Sequence, residues 1–284
     1  MAEESSLVAV VLAAGEGRRL WPLTSLRPKA LCPVGGVALL DLALVRVARV
    51  TPAVAVNLHH GLDQVTAHLD RGLARGTTPP GGLTVHRSVE EPEALGTAGA
   101  LGALRDWIDG RAVLVHNADA WCQPDLAGFV AGWDGQRVRA LVTGPPGPAT
   151  FGPRVGLVAT LLPWSDVAGL AAVSAGLYET VLAAAWAGGR LEAVGHPGAF
   201  VDCGTPADYL AANLAAVDAA GGVSVVCPGA EVSGRARRSV IGANARVQGR
   251  IERCVLWDGA VVGPDEDLHD VVRAPGLRRD VACD

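Results

Sequence analysis

Leu7 to Ala13 is an unbroken apolar run of strand length, the pattern of a β-strand buried on both faces, and it ends in a glycine-rich turn. Val37 to Val50 has helical length and spacing, and Ala53 to Leu58 predicts a second strand. Leu62 to Leu69 follows as a short helix, Leu83 to His86 as a strand, Thr97 to Trp107 as a helix and Ala112 to His116 as another buried strand. This βαβα order predicts an α/β fold: a Rossmann-like, doubly wound, mostly parallel sheet that binds ligands beyond the carboxyl ends of its strands. Thr143 to Pro153, with four Pro and three Gly, is a loop that interrupts the alternation and separates the first half from a smaller second half in this reading. Ala207 to Ala220 predicts a helix, ended by Gly221-Gly222.

Beyond that point the period changes. Ala230, Ala245 and Ala260 recur every 15 residues, as do Val232, Val247 and Val262, and Gly234 and Gly249 keep the same register. Ser239-Val240-Ile241 matches Cys254-Val255-Leu256. Short apolar steps at a fixed period predict stacked coils, each too small to bury its own face alone. The chain therefore divides into a main domain, residues 1–220, and a tail, residues 221–284, read as a short left-handed parallel β-helix of hexapeptide-like coils.

Composition narrows the classes. Half of the 284 residues are hydrophobic and 19% are charged, enough for a sizeable core. With 24 Lys and Arg against 29 Asp and Glu, the net charge of −5 argues against a general nucleic-acid binder and leaves room for a local anion pocket. The six cysteines form no CxxC pair, which argues against a zinc knuckle or a disulfide scaffold. Met1 to Ser6 is acidic and lacks the basic start of an export signal, and the apolar runs are too short for a membrane span. The expectation is a soluble, cytoplasmic protein.

The strongest chemical signal is Leu12-Ala13-Ala14-Gly15-Glu16-Gly17-Arg18-Arg19-Leu20-Trp21-Pro22-Leu23-Thr24, followed by Arg27-Pro28-Lys29-Ala30-Leu31. A strand running into a glycine-rich turn exposes backbone N–H groups to phosphates. It is neither the dinucleotide GxGxxG fingerprint nor a P-loop, since Leu20 stands where the former needs Gly and no GK[ST] follows. Its specificity lies in two cations, Arg19 and Lys29, ten residues apart around the turn.

With these residues the chain resembles the sugar-1-phosphate nucleotidylyltransferases, whose signature runs LAAGxGTRLxPLT and then PKxLxPV. Arg18 replaces the usual Thr; it either adds positive charge for the phosphates or points outward. Glu91-Pro92-Glu93-Ala94-Leu95-Gly96-Thr97-Ala98-Gly99 resembles the family's base-binding loop, with Thr97 also suited to cap the next helix. Val113-Leu114-Val115-His116-Asn117-Ala118-Asp119 resembles the LVLNGD strand end, and Phe200-Val201-Asp202-Cys203-Gly204-Thr205-Pro206 the WxDxGTP motif. Ala175-Gly176-Leu177-Tyr178 is similar to the NAGIY segment, but the EKP box that commonly grips the sugar phosphate is missing, with Arg154 as a candidate substitute. The compact middle is similar to that of N-acetylmuramate-1-phosphate uridylyltransferases, and the tail to that of mannose-1-phosphate guanylyltransferases.

The resemblance implies the reaction NTP + sugar 1-phosphate ⇌ NDP-sugar + diphosphate, with GTP or UTP as the nucleotide. It implies Arg19 and Lys29 as catalytic cations, and Asp119 and Asp202 as ligands of Mg²⁺. It assigns the nucleotide to Leu12, Ala13, Ala14, Gly15, Gly17, Arg18, Gly96 and Thr97, and the sugar to Gly176. Partners are then the two substrates alone, with no nucleic acid or membrane, and the tail as a surface for homo-oligomers. Two rivals stand: a catalytically silent NDP-sugar-binding regulatory subunit, and an acyltransferase tail with His269 as its base. His59, His60 and His116 read as turn or lining residues, and Trp21 and Trp121 as packing.

Overall fold

The structure is a computed structural model and describes residues 6–75 and 83–283. The acidic N-terminal segment, residues 1–5, lies outside the described residues.

Two compact units interleave along the chain. The first comprises residues 1–15, 40–118 and 122–200 and is built on one mixed sheet. Its strands are β1 (Leu7–Leu12), β2 (Ala53–Leu58), β3 (Thr84–Val89), β4 (Ala112–Asn117), β5 (Val138–Thr143), β6 (Leu157–Leu162) and β7 (Leu191–His196). They lie in the order β3-β2-β1-β4-β6-β5-β7, with Gly147–Pro148 as an eighth, edge strand. The first four run parallel, β5 and β7 run parallel to each other, and β6 runs antiparallel to both its neighbours. Most ladders are therefore parallel, and β1 lies deep in the sheet with Val8, Val10 and Val11 fully buried, as its continuous apolar run predicts. Val8, Val10, Val113 and Val115 pack with Leu101 and Leu104 into the main core.

The boundaries shift where local geometry intervenes. The segment read as one helix from Val37 begins with a strand pair, Pro33–Val34 with Val37–Ala38, before the helix Leu39–Val47. Positive φ at Gly35 and Gly36 makes that hairpin turn. The loop between β5 and β6 does not divide two halves: it connects antiparallel neighbours of one sheet, which is a correction to the sequence reading. Trp121 is buried, whereas Trp21 is 68% exposed and packs into no core.

His116 on β4 is a core histidine. Its Nδ1 lies 2.8 Å from the Val158 carbonyl, and Arg46 Nη1 lies 3.5 Å from Nε2. That pairing assigns the proton to Nδ1. Burial, then the Arg46 charge, push its pKa down to about 4 despite the carbonyl. A depressed folded-state pKa contributes stability that is complete above about pH 6.5 and is lost as pH falls toward 4, about 3 kcal/mol in all. Denaturant titrations between pH 4.5 and 7.5 should show that slope in the wild type and lose it in His116→Gln. Equal slopes in the two proteins would refute the linkage.

The second unit comprises residues 16–39, 119–121 and 201–284. Its tail forms three parallel sheets, which are the faces of a β-helix consistent with the left-handed form. The repeat read from sequence is the ladder itself: Val232 pairs with Val247 and Val247 with Val262, while Val240 pairs with Val255. Each of these steps spans 15 residues around three faces, so a face averages five residues and the hexapeptide-like expectation is corrected. Ile241, Val247, Ile251, Leu256 and Val262 fill the interior. The last full step lengthens to 17, from Val255 to Val272, and Val281–Ala282 closes the end antiparallel.

Candidate active site

In the second unit, the glycine-rich turn continues as three single helical turns, Arg18–Leu20, Leu23–Ser25 and Lys29–Leu31. Gly17 has φ 67°, and a Cβ there would stand 2.9 Å from Lys29 Cβ. Only glycine accepts both the backbone and that approach.

Lys29 draws the site together. Its ammonium donates to Asp119 Oδ2 at 3.0 Å and to Asp202 Oδ1 at 3.1 Å. The lysine side chain is 9% exposed, the two carboxylates 44% and 48%. Burial works to lower the lysine pKa, but the two carboxylates outweigh it and hold it above the ordinary value. Lys29 is therefore a permanent cation.

Asp119 and Asp202 meet through a two-stranded ribbon, Ala120–Cys122 with Phe200–Asp202, separate from the main sheet. The Cys203 N–H donates to the Asp119 carbonyl at 3.0 Å and fixes the pair. Beyond Asp202, Thr205 and Asp208 form a reciprocal capping box on the helix Pro206–Ala219, with Pro206 in its first turn. That is the structural work of the GTP turn: it stops the chain where Asp202 must stand.

Arg19 Nη2 lies 3.6 Å from Asp202 Oδ2 and keeps most of its guanidinium in solvent. A Cβ at Gly204 would come within 3.0 Å of that nitrogen. Arg18 turns outward, 81% exposed and paired with Glu16 at 2.6 Å. Arg19, Lys29, Asp119 and Asp202 sum to zero charge, so this cluster alone cannot neutralise a polyanion. Among the described residues no group of three or more metal-type side chains occurs. Two half-exposed carboxylates fit Mg²⁺, which takes oxygen ligands and completes its shell with phosphates and water.

In the first unit, Leu12 to Gly15 leave the end of β1, and Gly96 and Thr97 open the helix Gly96–Ala103 after the loop that ends at Leu95. Gly96 has φ 70°, and a Cβ there would press on the Ala175 carbonyl oxygen at 2.6 Å. Ala98 N–H donates to that carbonyl and Ala175 N–H to Leu95, each at 2.9 Å, so Gly176 lies beside this loop. Thr97 does not cap the helix Gly96–Ala103: Leu95 is the N-cap residue, and the Thr97 hydroxyl instead accepts from Leu177 N–H at 2.6 Å. Arg154 is exposed. His196 ends β7 with a buried Nε2 that has no hydrogen-bond partner among the described residues.

Two residues escaped the sequence reading. Asn57 Oδ1 accepts from Ala13 N–H at 2.7 Å, and its amide donates to Glu90 Oε1 at 2.8 Å. Glu90 Oε2 accepts from Leu95 N–H at 2.8 Å. This buried relay ties the turn after β1 to the loop before Gly96. Asn57 gave no signal inside its strand, while Glu90 stood one residue ahead of the motif. Glu90→Gln leaves one buried partner unmatched, which costs about 1–3 kcal/mol. Denaturant melts should show that loss, with faster amide exchange at Ala13 and Leu95. Unchanged stability together with unchanged exchange would refute the relay.

The profile of the nucleotidyl transferase family matches residues 8–158, more than half of the chain. The chain belongs to the nucleotidyl transferase family. This nucleotidyl transferase is 38% identical over 136 residues to the N-acetylmuramate alpha-1-phosphate uridylyltransferase of Caulobacter vibrioides. The match spans 46% of the chain and 54% of that relative, about half its length. A Bacillus anthracis structure described as a glucose-1-phosphate thymidylyltransferase shares the fold, with a TM-score of 0.60 and 18% identity over 75% of this chain and 96% of that one. HddC from Yersinia pseudotuberculosis, complexed with GMP-PN, has a TM-score of 0.56 and 18% identity over 72% and 97%. Among the described residues of this nucleotidyl transferase, no helix is long and apolar enough to cross a membrane.

Proposed function

We propose that the protein is a Mg²⁺-dependent sugar-1-phosphate nucleotidylyltransferase, making NDP-sugar and diphosphate from an NTP and a sugar 1-phosphate. The observation that carries this is Lys29 bridging Asp119 and Asp202 beside Arg19, a cluster whose zero net charge calls for a metal when phosphates arrive. A sugar-phosphate oxygen attacks the α-phosphorus in line, the bond to the β-phosphate oxygen breaks and diphosphate leaves. The nucleophile is already an anion, so no strong base is needed. Arg19 forks onto phosphate oxygens, and Lys29 adds a point charge where negative charge develops. Leu12 to Gly15 and Gly17 offer backbone to the phosphates, and Gly96 and Thr97 to the base, while Gly176 faces the sugar. Asp119 and Asp202 would hold Mg²⁺, which would supply the remaining charge neutralisation.

The catalytic residues fall within 1–220, and 221–284 is the tail through which the chain self-associates. The relative's name supports UTP and N-acetylmuramate 1-phosphate as the first pair to test, with GTP as the second nucleotide. Substrates of this kind support a cytoplasmic enzyme. Diphosphate release would be measured with each NTP against a panel of sugar 1-phosphates, with and without EDTA. Release should require both substrates and Mg²⁺. No release with any pair, combined with NDP-sugar binding, would replace this reading with the regulatory subunit.

A further inference from the structure

In the second unit the loop that carries Lys29 is tied to the tail. The Arg27 guanidinium lies 4.2 Å over the ring of Trp257, a buried residue of the β-helix. Trp257 Nε1–H donates to the Tyr209 hydroxyl at 3.0 Å, and that hydroxyl donates to the Pro33 carbonyl. Gly35 N–H donates to Asn213 Oδ1 at 3.0 Å, one turn along the same helix. Leu26 lies against the turn at Gly276, where a Cβ would stand 3.2 Å from Leu26 Cδ2. Arg27 and Pro33 therefore bracket Lys29, and both are fixed through Trp257.

We propose that Trp257 is a positioning residue for the transfer reaction, holding the Arg27–Pro33 segment through its ring face and through Tyr209, so that the tail is a working part of the site. This rests on the function proposed above. Tyr209 and Trp257 are both buried, so the indole N–H and the phenol hydroxyl have no solvent to fall back on. The site has little tolerance: Lys29 satisfies two carboxylates at once, and a misplacement of about 1 Å can cost about a hundredfold in rate.

The test uses the full chain. Trp257→Ala removes ring and N–H, Trp257→Phe keeps a ring for Arg27, and Tyr209→Phe removes only the hydroxyl. Trp257→Ala should lower kcat about tenfold or more with little change in KM for NTP, and Trp257→Phe should restore part of the loss. Amide hydrogen exchange at Leu31, Cys32 and Gly35 should quicken in Trp257→Ala, below its melting transition. If that variant does not fold, Trp257→Phe and Tyr209→Phe carry both readouts. Wild-type kcat together with unchanged exchange across 27–36 would overturn the proposal. A wild-type protein that releases no diphosphate would sink the function reading instead, and the exchange would then decide only whether Trp257 holds the Arg27–Pro33 segment.

Discussion

Lys29→Ala should lower diphosphate release by about a hundredfold or more at saturating Mg²⁺, the scale seen when one preorganised charge donor is removed from a site of this kind. The ammonium reaches both carboxylates, at 3.0 and 3.1 Å. Its removal leaves two like charges facing each other and a transition state without its compact cation. The fold should survive, because Asp119 and Asp202 remain about half exposed and solvent screens them. Arg19→Ala should cost about tenfold or more by the same logic, with a smaller structural effect, since its guanidinium stands mostly in water. Steady-state rates beside circular-dichroism melts separate chemistry from folding. Near-normal turnover in folded Lys29→Ala would remove the lysine from the reaction.

Asp119→Asn and Asp202→Asn should each keep the fold and raise the Mg²⁺ concentration needed for half-maximal activity. In the proposed site both carboxylates serve one cation, and either loss leaves the other with Lys29. The double variant should therefore lose less than the product of the two single losses, because two residues that serve one ion do not act independently. Activity would be measured against Mg²⁺ for all three proteins. Multiplicative losses with an unchanged Mg²⁺ midpoint would show that the two do not share a metal.

The chain by itself determined the parts. The apolar run of β1 required a buried strand, because in a parallel sheet both faces meet side chains, and the 15-residue register of Val232, Val247 and Val262 is the β-helix ladder read aloud. Gly17 and Gly96 stood out in the sequence because a turn with positive φ and no room for Cβ accepts little else. Sequence could not decide which side chains share a neighbour. Arg18 and Arg19 are adjacent, yet one pairs with Glu16 in solvent and the other reaches toward Asp202. Thr97 looked like a cap because capping is local, but its hydroxyl serves Leu177, eighty positions away. Glu90 and Asn57 carry no motif, and their roles arise only where the fold brings the backbone N–H groups of Ala13 and Leu95 to their side-chain oxygens. The tie from Trp257 through Tyr209 to Pro33 joins positions far apart in the chain. Periodicity and turn chemistry are properties of neighbouring residues and so are written in sequence. The pairing of buried charges and hydrogen-bond groups depends on distance in space, which only the folded chain sets.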